Sequence, residues 1–126
     1  MIQPEPPPQP NDHPHVWPHA IAWADAQDVS AAARDLMTAR HVQGVEKYGV
    51  PLQPHNGRDP LVDLVQELLD GIAYAMQAVL ETPSETSRRR VMMDIMTRQL
   101  QALETVLATI ADPAALDHTP MERLRR

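Results

Sequence analysis

The chain has 126 residues, with 11 Lys and Arg against 17 Asp and Glu, a net charge of -6 with histidine counted neutral. That is the length of one domain, and the lack of cysteine excludes a disulfide framework, a zinc-thiolate site and a thiol nucleophile. The acidic balance argues against nucleic acid as the main ligand, because duplex binding relies on basic clusters.

No uncharged apolar run approaches the roughly 20 residues that span a bilayer. The first 18 residues also lack the basic-then-apolar profile of a signal peptide. The expectation is a soluble cytoplasmic protein with no membrane partner. Only four glycines are present and aromatics make up 3 %. The hydrophobic content comes almost entirely from Ala, Leu, Val, Met and Ile, a mix that favours helices over a sheet.

Residues 1–18 hold seven of the 13 prolines and few aliphatics, so they read as an extended, solvated tail before a folded domain over residues 19–126. His13, His15 and His19 offer imidazoles there, but nothing in the sequence holds them rigid or adds a fourth ligand. Trp17, Ile21 and Trp23 are apolar enough to dock on the body or on a neighbouring subunit.

A first helix is expected from Asp25 or Asp28, either of which can cap, to Tyr48, with Gly49 ending it and Pro51 blocking continuation. A loop over residues 50–58 follows, with a turn signal at Asn56-Gly57. Asp59 as N-cap and Pro60 at the first helical position then open a second helix that runs to Leu80. Thr82, Pro83 and Glu85 have the spacing of a capping box for a third helix. In it Met92, Ile95, Met96, Leu100, Leu103, Val106, Leu107 and Ile110 form an apolar stripe. Its first turn carries Arg88-Arg89-Arg90, read as solvated or as reaching a neighbour's phosphate pocket. Asp112-Pro113 repeats the capping device before a short fourth helix. The fold class is all-α, a four-helix bundle completed by oligomerisation.

The second helix carries the most chemistry. Asp63, Glu67, Asp70 and Tyr74 follow one another at steps of four, three and four, which places them within an arc of about 60°. The rest of that helix is largely apolar, so it is expected to be central, with neighbours on two sides. The acidic residues can be read as an ordinary solvated strip. Against that, like charges at these spacings repel, and no Lys or Arg lies on the helix to offset them. A divalent cation such as Mg²⁺, which prefers oxygen ligands, would reverse the sign of that interaction. Near the end of the first helix, Arg40, Gln43, Glu46 and Lys47 present further polar groups, with Lys47, the only lysine, placed to complement the helix dipole or to meet a phosphate. No Glu-x-x-His, G-x-S-x-G or P-loop pattern occurs, which removes the di-iron, serine-hydrolase and P-loop alternatives.

Taken together, Glu46-Lys47-Tyr48-Gly49, the loop to Asn56-Gly57-Arg58-Asp59, and Gln66-Glu67-Leu68-Leu69-Asp70 with Tyr74 resemble the all-α nucleoside triphosphate pyrophosphohydrolases. These form the MazG-like superfamily, which also includes the dimeric dUTPases. The likeness covers residues 36–82 and is nearest to a short phage-encoded, MazZ-type branch, some members of which convert dGTP to dGMP.

The resemblance implies a Glu-x-x-Glu on one helix and a Glu-x-x-Asp on the next, holding two or more Mg²⁺, with Mn²⁺ as substitute. Glu67 and Asp70 fill the second motif. Gln43 replaces the leading Glu of the first, leaving Glu46, with Asp63 as a further metal ligand. Lys47, Arg40, Asn56, Arg58 and Tyr74 would then contact the nucleoside triphosphate, and the protein would be a homodimer or homotetramer. Two other readings stand beside this one: a dUTPase-like house-cleaning enzyme, and an inactive helical interaction bundle, which Gln43 favours.

Overall fold

The computed structural model describes residues 6–84 and 86–110. Among them the protein is all-α, with helices α1 (Val16–Ala26), α2 (Ala31–Tyr48), α3 (Pro60–Glu81) and α4 (Ser87–Ala108). None is long and apolar enough to cross a membrane. The chain divides after Arg58 into two compact units. The short helix expected after Asp112 lies outside the described residues.

The first unit is a helical hairpin with a strap. The helix expected from Asp25 or Asp28 starts later, at Ala31, and α1, which the sequence did not predict, precedes it, with Asp28 in a left-handed conformation at φ 56° between the two. Neither Asp25 nor Asp28 caps α2. Ser30 does, its hydroxyl accepting the Ala33 N–H at 3.2 Å. Asp25 instead crosses the turn to Arg34, 2.9 Å from its Nε. At the far end Gly49 closes α2 with φ 76°, its N–H bonded to the Val45 carbonyl, as its position in the sequence anticipates.

Residues 6–15 are extended but tied down. Gln9 N–H donates to the Asn56 carbonyl and Val16 N–H to the Leu52 carbonyl, both at 2.9 Å. Gln53, only 6 % exposed, accepts the Asn11 N–H and donates to the carbonyls of Asn11 and His13. Asn11 answers by donating its side-chain amide to the carbonyls of Pro54 and His55. Proline lacks an N–H and cannot pair by itself. The expected solvated tail is therefore held by the few non-proline residues in it and by one buried glutamine from the loop. Moreover, Val16, Trp17 and Pro18 already belong to α1.

The second unit is the α3–α4 hairpin. Asp59 caps α3 by accepting the Leu61 N–H at 2.9 Å, with Pro60 in the first turn. α4 is capped by Thr86, whose hydroxyl accepts the Arg89 N–H, and not by Thr82. Thr82 ends α3 instead, its hydroxyl donating to the Ala78 carbonyl.

Val62, Val65 and Leu103 are buried together, with Leu68, Ile72, Val106, Leu107 and Ile110 packed around them. Residues at the start of α3 thus meet residues at the end of α4. Further along, the side chain of Gln99 lies over Gly71, where an added Cβ would overlap its amide. The α4 stripe is narrower than the sequence suggests, since Ile95 and Leu100 are exposed. On α3, Leu61, Leu64, Leu69, Met76 and Leu80 are likewise exposed in the single chain. A two-helix hairpin buries one stripe per helix, and an apolar content beyond that width stays at the surface.

Candidate functional site

The regular helix over Pro60–Glu81 gives the acidic residues the shared face their spacing implies. Asp63 is half-buried, and its N–H bonds back to the Asp59 carbonyl. Glu67 and Asp70 are exposed, as is Tyr74 at 69 %. No Lys or Arg shares the helix.

At about 1.5 Å of rise per residue, Asp63 and Asp70 stand roughly 10 Å apart along the axis. Carboxylate oxygens bind Mg²⁺ at about 2.0–2.1 Å, so one ion cannot take all three residues of such a row. Adjacent members, about 5–6 Å apart at Cβ, can share one. Consistent with this, no group of three His, Cys, Asp or Glu side chains gathers to hold a metal ion among the described residues. The oxygen donors suit magnesium in kind. In number, the α3 row offers pairs.

The polar residues near the end of α2 are all exposed: Arg40, Gln43, Glu46 and Lys47. The Lys47 ammonium stands 5.2 Å from the ring centre of Tyr48 and lies in the last turn, where it complements the helix dipole.

In the loop, Asn56 is only 7 % exposed, and its side-chain oxygen accepts the Arg58 N–H at 3.1 Å. That bond closes the turn at Gly57, whose φ is 87°. Asn56 thus has a structural occupation that its turn-forming sequence context could have signalled. Arg58 is half-buried and donates from Nη1 to the Pro6 carbonyl at 2.6 Å. Its guanidinium anchors the strap.

Sequence reasoning missed two pairings in this same unit. The His13 and His55 rings stand 4.6 Å apart, and those of His15 and His41 5.9 Å apart. Each joins residues too distant in sequence for any spacing rule to connect. Nearby, Pro14, Val16, His19, Ala20 and Pro54 line an open apolar recess of about 390 Å³, which of the residues singled out in the sequence only His19 borders.

Comparison with known proteins adds no relative: no family model, curated protein or solved structure gives a significant match. The chemistry has to be argued from the residues.

Proposed function

We propose that the protein is a Mg²⁺-dependent pyrophosphohydrolase that converts a nucleoside triphosphate, with dGTP or GTP as the first substrates to test, to the monophosphate and pyrophosphate. The observation that carries this reading is the row Asp63, Glu67 and Asp70 on one face of α3, a helix without a single cation. Like charges at these spacings repel one another along the helix. A magnesium-triphosphate complex would add positive charge beside Glu67 and Asp70 and present phosphate oxygens as further ligands.

Glu67 and Asp70 are the primary metal ligands in this proposal, with Asp63 as a ligand to a second ion. The resemblance adds Glu46 of α2. Bound Mg²⁺ would lower the pKa of water and neutralise phosphate charge. The carboxylates would hold the ion, and attack of water on the α-phosphorus would break the bond from that phosphorus to the α–β bridging oxygen, which leaves with the pyrophosphate. The resemblance assigns Lys47 to the departing phosphates, Arg40 and Arg58 to weaker phosphate contacts and Tyr74 to the nucleoside. Asn56 acts through the shape of its loop.

The test is a panel of ribo- and deoxyribonucleoside triphosphates with Mg²⁺ or Mn²⁺, followed by product separation. Monophosphate plus pyrophosphate is expected. Glu67→Gln and Asp70→Asn should each lower kcat/KM by about 100-fold or more with the circular dichroism unchanged. Absence of turnover with every triphosphate, or near-normal rates in both variants, overturns the reading. That outcome would favour an inactive interaction bundle, which Gln43 in place of the leading Glu also favours.

A further inference from the structure

We propose that His13 and His55 form a two-imidazole site for a late first-row divalent cation, Zn²⁺, Ni²⁺ or Cu²⁺, which would staple the N-terminal strap to the loop before α3. The two rings come from segments 42 residues apart, yet their centres lie 4.6 Å from each other, with planes at 43°. With metal–nitrogen bonds of about 2.0–2.1 Å and ring centres about 1 Å beyond the nitrogens, two imidazoles at 90–110° on one ion have centres about 4.5–5 Å apart. The observed separation falls in that interval.

The pair is also framed. Gln53 Nε2 donates to the His13 carbonyl at 2.8 Å, and Asn11 Nδ2 donates to the His55 carbonyl at 3.1 Å. Gln53 and Asn11 are in turn bonded to each other, through the Asn11 backbone. The same interlock thus pins the backbone of both histidines, which lowers the ordering cost of chelation.

Both side chains are exposed, so water can complete the coordination of a metal with two protein ligands. Two residues further along the strap, His15 faces His41 at 5.9 Å. Nδ1 of His41 is the one buried side-chain nitrogen or oxygen without a hydrogen-bond partner among the described residues.

Imidazole suits zinc, nickel and copper, whereas magnesium takes oxygen. The site is therefore chemically separate from the carboxylate row on α3 and does not depend on the pyrophosphohydrolase reading.

The experiment uses the full chain. Zn²⁺ affinity is measured by calorimetry with excess Mg²⁺ present, and Cu²⁺ is added at one equivalent for pulsed EPR, which counts bound imidazoles. His13→Gln and His55→Asn remove one ring each. Asn is chosen because it tolerates the φ of 55° at position 55. His19→Gln is the control. The expected result is a two-imidazole copper signal that falls to one in either variant, Zn²⁺ binding weakened about tenfold or more in both, and no change in His19→Gln. If His55→Asn keeps both the affinity and the two-imidazole signal, the His13-Pro14-His15 segment chelates by itself and the proposal fails. It also fails if the unaltered protein binds neither metal, or if His19→Gln is the variant that loses binding. Because both rings are exposed, matching metal-free circular dichroism is expected for the variants; should one misfold, the other carries the test.

Discussion

The two units reach order by different physics. In the α3–α4 hairpin the buried side chains are apolar: Val62, Val65, Ala75, Val79 and Leu103. In the strap and α1–α2 unit the only apolar residue buried is Ala24, α2 buries none, and Gln53 and Asn56 are the side chains taken out of water. One unit follows from hydrophobic periodicity. The other follows from a hydrogen-bond interlock that periodicity does not encode. Apolar burial is roughly proportional to area and tolerates small displacements, while a polar interlock is directional and fails when one partner is lost.

The largest effect is expected in the apolar unit. Leu103→Ala removes the one buried side chain of α4 and should cost about 2–5 kcal/mol in denaturant unfolding. A loss below 1 kcal/mol would mean that the α3–α4 contact contributes little.

Gln53→Ala should cost about 1–3 kcal/mol, because it strands the Asn11 N–H and the carbonyls of Asn11 and His13. Amide exchange at Asn11 and Val16 should accelerate. If their protection persists, the strap is held by something other than the glutamine.

The smallest effect belongs to Arg34→Ala. Its ion pair with Asp25 has side chains 50 % and 44 % exposed, so less than about 1 kcal/mol is expected, and that should vanish in high salt. A larger, salt-insensitive loss would indicate that the α1–α2 turn relies on this pair more than its exposure implies.

Elements whose signals are local were legible. Asp59 and Pro60 open α3 and Gly49 closes α2 because caps act on the nearest turn of backbone. The acidic face of α3 was legible for the same reason, since helical geometry alone sets it. The cap of α4 was misplaced from Thr82 to Thr86 because two threonines each satisfied a local rule. The start of α2 was set at Asp25 or Asp28 and not at Ser30 because all three can cap, and α1 was missed because its first residues, Val16 to Pro18, lie in the proline-rich stretch. For the candidate site, sequence reasoning found the carboxylates, but it assigned Asn56 and Arg58 outward roles. The structure shows the Asn56 oxygen on Arg58 N–H and an Arg58 nitrogen on the Pro6 carbonyl.

Composition, caps and periodicity by themselves determined an all-α chain, the extent of α3 and the row of negative charge along it, since each depends only on neighbours within a turn or two. Tertiary structure alone decided that a proline-rich segment is tied to a loop some 42 residues away, which histidines face one another there, and which apolar residues of α3 and α4 stay exposed. Those outcomes depend on chain segments meeting at a distance, where the partner of a given amide or ring is chosen by the path of the backbone and not by its own sequence context.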